Sequence, residues 1–282
     1  MDSDFPRTDV GGLSLSRMII GTNWILGYSH TSPAADAMIR RRNGDREATA
    51  AIITEFMAHG VDTLMGLFHG NPHLVDAMKL AEDRTGRRLI RIDTPVLNVD
   101  DNDRARGEAE AMIAESAANG ADFCFPHHFS AEQLVNKNTR SIPRLSDYLS
   151  MIRAHGMRPG LSAHMPELIV FSDENGYDVE TYIQIYNAAG FMMQIEIEYV
   201  HRVIWGANKP VMTIKPMAAG RLSPFVGLTF SFATVRPIDM VTVGCLTPEE
   251  AREDVEIAIA AVERRPPAVA GRDSPSKSAA MR

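Results

Sequence analysis

Ala58-His59-Gly60-Val61-Asp62-Thr63-Leu64-Met65-Gly66-Leu67 is the stretch on which the fold turns. Helical, charged sequence stops at Gly60, and an apolar β-rich run begins on the next residue. A glycine just past a helix takes the left-handed geometry that closes it. The same punctuation recurs at Ala118-Asn119-Gly120, Ala154-His155-Gly156 and Ala188-Ala189-Gly190. Four joints of one design, in a chain where β-rich and helical runs alternate, predict a parallel α/β architecture.

Working outward, strands are expected at 17–24, 61–67, 88–96, 121–127, 157–164, 191–200, 210–217 and 238–245. Helices are expected to begin near Asp45, Pro72, Asp103, Ile142, Asp178, Val203, Ser223 and Pro248. Thr247-Pro248-Glu249-Glu250 reads as a capping threonine, a first-turn proline and two acids that complement the helix dipole. Eight units on a chain of 282 residues favour a closed (β/α)₈ TIM barrel over an open doubly wound sheet. No GxGxxG follows any strand, so a dinucleotide-binding Rossmann sheet has no phosphate fingerprint. One barrel domain is expected over 1–265, followed by a disordered Pro/Ser/Ala-rich tail over 266–282. The segments 27–44, with Arg40-Arg41-Arg42, and 128–140 read as long loops at the strand ends.

Composition narrows the function classes. The chain is 45% hydrophobic, 23% charged and carries a net charge of −7, which gives it no general attraction for nucleic acid or an anionic membrane. No apolar run approaches the roughly 18 residues of a membrane span. The first residues are polar, without the features of a secretory signal. Cys124 and Cys245 form neither a disulfide framework nor a CxxC motif. A cytoplasmic enzyme acting on a small molecule is the expectation, with the oligomeric state left open.

Active sites of such barrels lie at the C-terminal strand ends. Seven of the nine histidines, His30, His69, His73, His127, His128, His164 and His201, fall after or at expected strand ends; any one of them alone reads as a surface or packing residue. Alternation in Gln194-Ile195-Glu196-Ile197-Glu198 puts Gln194, Glu196 and Glu198 on one strand face, expected to point into the barrel. There the carboxylates need a cation partner, such as Arg91 or Lys215, or a catalytic or metal-binding role. Arg91 and Asp93 share a face of the third strand, and Lys215 ends the seventh. This mixture suits general acid–base catalysis or oxygen and nitrogen coordination of Zn²⁺, Mn²⁺ or Fe²⁺, although no HExxH motif is present. The metal set would be His69, His127, His164 and Glu196. Asn23, Trp24 and His30, with Arg91, read as substrate contacts; Trp24 reads equally as a buried aromatic beside a loop. Ser162 is not in a GxSxG setting, so no serine nucleophile motif is visible.

Several segments resemble the aldo/keto reductases, NADP-dependent barrel enzymes. Gly11-Gly12-Leu13-Ser14-Leu15-Ser16-Arg17-Met18-Ile19-Ile20-Gly21-Thr22 resembles that family's approach to its first strand. Gly60-Val61-Asp62-Thr63 resembles its second strand, which ends in an Asp-Thr pair. Lys215-Pro216-Met217-Ala218-Ala219-Gly220 resembles the turn after its seventh, and Val241-Thr242-Val243-Gly244-Cys245 its last unit. The resemblance implies a barrel, and an Asp, Tyr, Lys and His quartet at the mouth. Asp62 matches the aspartate, and His127 or His128 the histidine. The tyrosine has no counterpart, Phe68 being the nearest aromatic. Pro95 follows Thr94 where a lysine is expected. The family's last unit usually offers small polar residues, a base and an asparagine to the nucleotide; here Gly244-Cys245-Leu246-Thr247 leads to Glu249, Glu250, Arg252 and Asp254, of which Arg252 is the candidate phosphate contact.

Loss of the proton donor points to a redox-neutral lyase, isomerase or hydrolase acting on a small, sugar-like polyhydroxylated substrate. His127, His128, Glu198, Lys215, Asp62 and Asp93 are its expected catalytic groups. The alternatives are an NADP-dependent reductase with a displaced acid and a non-catalytic metabolite-binding barrel.

Overall fold

A computed structural model describes residues 5–269. Its barrel strands are β1 (Met18–Gly21), β2 (Thr63–Gly66), β3 (Ile90–Asp93), β4 (Phe123–Cys124), β5 (the segments Arg158–Pro159 and Leu161–Ala163), β6 (Tyr182–Ile185), β7 (Val211–Ile214) and β8 (Met240–Val243). All neighbouring pairs are parallel, and β8 returns to pair with β1. Closure runs through β5, whose first segment pairs with β4 and whose second pairs with β6. Gly160 lies between the segments because a Cβ there would meet the Phe125 ring at 2.4 Å. The expected (β/α)₈ barrel is present.

Inside, Ile19, Met65, Ile92, Phe123, Phe125, Ile183, Met212 and Met240 form one apolar cluster, and the larger cluster lies between strands and helices. An antiparallel hairpin, Arg7–Val10 with Leu13–Ser16, closes the N-terminal end; its Val10 and Leu15 join the inner cluster.

The helices are α1 (Asn23–Leu26), α2 (Pro33–Asn43), α3 (Arg46–Ala58), α4 (Pro72–Thr85), α5 (Asp103–Ala118), α6 (His128–Ala131), α7 (Leu145–Ala154), α8 (Glu167–Asn175), α9 (Ile197–Gly206), α10 (Pro224–Thr234) and α11 (Pro248–Glu263). Gly60, Gly120 and Gly156 take positive φ after α3, α5 and α7, as their punctuation predicts. Thr247 caps α11 by accepting from the Glu250 amide at 3.1 Å.

The sixth unit departs from expectation. The strand is Tyr182–Ile185, not 191–200, and a helix, α8, stands before it. Residues expected to form a strand instead start α9. There Ile197 packs on the core and Val200 and Ile204 are buried, an i, i+3, i+7 spacing that suits a helix face. Glu196 is the N-cap position and Glu198 lies in the first turn, where the helix dipole favours a negative charge. Ala188-Ala189-Gly190 lies in a turn rather than at a helix end; the Asn187 carboxamide accepts from the Phe191 amide at 2.9 Å. The segment 27–44 is mostly α2, with Arg40, Arg41 and Arg42 in its last turn. Of the expected tail, Ala268 donates its amide to Glu256 at 2.6 Å; residues 270–282 lie outside the described residues. No described helix is long and apolar enough to cross a membrane.

Candidate active site

The C-terminal mouth gathers four histidines and a lysine. His127 follows β4 on the parity of the inward-facing Phe123 and Phe125. His128 opens α6, and His164 follows β5. The His128 and His164 rings stack with centroids 3.7 Å apart and planes at 22°, and the His127 ring lies 4.3 Å from that of His128. Across the mouth, the Lys215 Nζ lies 2.9 Å from His30 Nε2, which is also 3.1 Å from Asn23 Nδ2.

Two features place these groups. Lys215 has φ 61°, a left-handed conformation rare for a residue with a side chain. Met212 and Ile214 face inward on β7, so regular alternation would turn the next side chain outward; the left-handed turn brings the amine back to His30. Glu132, which the sequence reading missed, anchors the other side. Its Oε1 accepts from the His164 and Met165 amides at 2.6 and 2.9 Å, and its Oε2 lies 4.0 Å from His128 Nδ1. Gln184, also unforeseen, donates to the His164 carbonyl at 3.1 Å. The available signal for Glu132 was its position four residues after His128, one helical turn on.

The electrostatics follow from burial. Desolvation, then repulsion from His128 and Lys215, holds the His127 imidazolium down to about 4. Desolvation and Lys215 bring His128 to about 4, and desolvation, His128 and Lys215 bring His164 to about 3. His30 is lowered by desolvation and by Lys215. Desolvation lowers Lys215 to about 8. Near neutral pH the imidazoles are therefore uncharged and competent to accept or donate protons. The Phe129 amide donates to His127 Nδ1 at 3.3 Å, which puts the His127 ring proton on Nε2. An ammonium only donates, so His30 Nε2 accepts while Lys215 is charged; once the amine is neutral, the same contact can carry a proton the other way.

Other expected site residues lie elsewhere. Asp62 precedes β2 rather than ending it, at the end of the barrel opposite the mouth, where Arg7 of the hairpin binds both its oxygens at 3.0 Å. Arg91 and Asp93 share a face, but alternation with the inward Ile90 and Ile92 turns both toward the helices. Arg91 pairs with Glu82 at 2.6 Å. Asp93 accepts from the Ser116 hydroxyl at 2.7 Å and the Phe68 amide at 3.0 Å. Glu196 and Glu198 are exposed on α9. His69 pairs with Glu115 at 2.7 Å, with its side chain 57% exposed. Trp24, by contrast, lies on α1 beside Asn23 at the mouth, half-buried and near Gly244 just past β8.

The expected metal set is thus split: His127 and His164 meet at the mouth, while His69 pairs with Glu115 and Glu196 is exposed at the start of α9, and no group of three or more His, Cys, Asp or Glu among the described residues is arranged to hold a metal ion. Two surface hollows, of ≈ 140 Å³ beside Arg106 and Arg144 and ≈ 650 Å³ beside Arg88 and Arg91, are lined by none of the mouth histidines.

Solved structures cover nearly the whole chain. An aldo-keto-reductase candidate from Pseudomonas aeruginosa superposes with a TM-score of 0.66 at 14% identity, over 93% of this chain and 98% of its own. The fold is that of the aldo-keto reductases. An aldo-keto reductase from Klebsiella pneumoniae in complex with NADPH gives 0.61 at 14% identity, over 99% and 94%. A truncated 3-deoxy-D-arabino-heptulosonate 7-phosphate synthase from Thermotoga maritima, a different activity, gives 0.52 at 14%, over 93% and 90%. No protein-family model matches the chain, and no curated protein does. Identity this low carries the fold alone.

The last unit of this aldo-keto-reductase-like barrel bears on a nucleotide. Thr247 caps α11 itself, Glu250 accepts from the Leu246 amide at 2.7 Å, and Arg252 pairs with Glu55 at 2.8 Å. The helix start is acidic and already capped, and its one base is engaged, so these residues do not fit a phosphate.

Proposed function

We propose that this chain is a redox-neutral enzyme acting on a small polyhydroxylated substrate by imidazole acid–base chemistry. The observation that supports it is the stacked His128–His164 pair beside His127 and the Lys215–His30 contact, a cluster whose imidazoles are uncharged at neutral pH. One neutral imidazole takes a proton from carbon or oxygen of the substrate while another, such as His127 through Nε2–H, gives one to the oxygen that gains charge. Glu132 holds the His164 backbone in place. A lyase or isomerase fits better than a glycoside hydrolase, whose chemistry needs two carboxylates flanking the bond. The metal-assisted version has no assembled donor set to support it.

The test is proton exchange at carbon. Dihydroxyacetone and glycolaldehyde are incubated with the protein in D₂O and followed by ¹H NMR. Enzyme-dependent loss of the signal from hydrogens next to the carbonyl, abolished in His164→Ala, is expected. No exchange above the buffer rate in the wild type would overturn the reading.

The second reading, an NADP-dependent reductase with a displaced acid, is favoured by the NADPH complex among the structural neighbours. Titration by NADPH fluorescence separates the two. Saturable binding, with oxidation of the nucleotide on adding an aldehyde, selects the reductase; the acidic, self-capped start of α11 leads us to expect neither.

A further inference from the structure

We propose that Lys215 is a covalent nucleophile that condenses with an aldehyde or ketone carbonyl of the substrate to form an imine, with His30 receiving the ammonium proton. This rests on the acid–base reading of the same pocket and assigns the substrate a carbonyl group.

Three observations point to it. First, among the described residues the Lys215 amine pairs with no carboxylate; the polar contact of its side chain is the His30 ring nitrogen at 2.9 Å. A lysine kept for structure ordinarily pairs with an acid, whereas this one faces a base able to take its proton. Second, both ends of that contact are held in left-handed backbone, Lys215 at φ 61° and His30 at φ 56°. Each such residue costs on the order of 1–3 kcal/mol and persists where the surroundings fix it, often at functional sites. Third, the amine is half-buried, and burial lowers it to about 8. At pH 7 about one lysine in ten is then neutral, against about one in 3,000 for an unperturbed side chain, a gain of about 300-fold. A desolvated lysine is a recognised route to an imine-forming nucleophile.

The step balances. The ammonium of Lys215 gives a proton to His30 Nε2. The freed lone pair bonds to the carbonyl carbon, the C=O π pair moves to oxygen, and a proton passes from the now cationic nitrogen to that oxygen to give a carbinolamine. A second proton, from an imidazole that has gained one in the mouth, turns the hydroxyl into leaving water as nitrogen forms the C=N bond. Net, ammonium and carbonyl give iminium and water, with no redox partner. The iminium then accepts the electron pair of a bond broken at the adjacent carbon, the step a redox-neutral lyase or isomerase needs.

The experiment is reductive trapping. The protein is incubated with glycolaldehyde and cyanoborohydride at several pH values, and lysine adducts are located by peptide mass spectrometry. Lys215 is expected to label on the order of tenfold or more faster than Lys79, Lys137 and Lys209 at pH 7, with a rate rising to a midpoint of about 8. Lys215→Arg should lose the adduct and keep its circular dichroism, and His30→Ala should slow labelling. Comparison among lysines within the wild type needs no variant to fold. Labelling of Lys215 no faster than the others overturns the proposal. Deuterium exchange without Lys215 labelling keeps the acid–base reading and refutes the imine; Lys215 labelling without exchange keeps the imine and refutes the acid–base reading.

Discussion

Replacing Asp93 with Asn tests how the barrel tolerates a charge in its strand–helix layer. Asp93 is 1% exposed. It accepts from the Phe68 amide and the Ser116 hydroxyl and has no cation partner among the described residues. Desolvation outweighs those bonds and raises the carboxyl from 3.8 to about 6. The native state therefore binds a proton more tightly than the unfolded chain. The protonated form's advantage is complete below about pH 4 and is lost as pH rises through about 6. Above that window the ionised group costs about 3 kcal/mol relative to the protonated one, at about 1.4 kcal/mol per unit. Asn keeps the geometry: its Oδ1 accepts from Phe68, its Nδ2 donates to Ser116 Oγ, and the serine hydroxyl turns to the Met112 carbonyl, already 3.2 Å away. Urea unfolding of both proteins across this pH range is the assay. The stability of Asp93→Asn relative to wild type should be near zero in acid and rise with pH to at most about 3 kcal/mol in favour of Asn at pH 7. A difference that does not change with pH, or a variant less stable at pH 7, would refute the reasoning.

Gly160→Ala places a methyl against the Phe125 ring at the barrel's closure and should destabilise the protein by about 1–3 kcal/mol in thermal or urea unfolding. Glu132→Ala strips the acceptor from two amides at the end of β5; it should abolish carbon-proton exchange while most of the fold is retained, and Glu132→Gln, which keeps an acceptor, should recover part of the rate. In Lys215→Arg, where the imidazoles alone can act, residual exchange should hold steady as pH falls from about 7 to 5 and drop near 4, where His127 and His128 gain protons; a decline centred near 6.5 would point to unperturbed histidines instead.

The barrel was legible because its signals are local. A glycine that ends a helix, and an apolar run directly after it, can be read within ten residues, and three of the four such joints lie where expected. The sixth unit was misread because Gln194 to Tyr199 satisfies two periods at once: polar and apolar residues alternate, yet Ile197, Val200 and Ile204 also form a helical stripe. That error carried Glu196 and Glu198 into a barrel interior they never enter. Facing was equally hidden: Arg91 and Asp93 do share a side, but nothing in five residues says which side is inner. His30, His127, His128, His164 and Lys215 do meet at one end, since residues just past parallel strands converge whatever their sequence separation. What brings Lys215 inward is a positive φ on a non-glycine residue, which composition does not signal. Asp62 is drawn to the mouth only by the family resemblance; the strand expected over 61–67 already has it near the start, and in the structure it precedes β2 at the opposite end.

The splice at Gly160 divides the hoop of strands between two banks. His128 belongs to the bank of β4, and His164 hangs from the half of β5 that is tied to β6. Their stacked rings therefore bridge the joint, so any slippage of one bank past the other would pull the two imidazoles apart before it disturbed a single strand pairing elsewhere. In this cylinder, alignment of the two imidazoles and hoop integrity are one mechanical property.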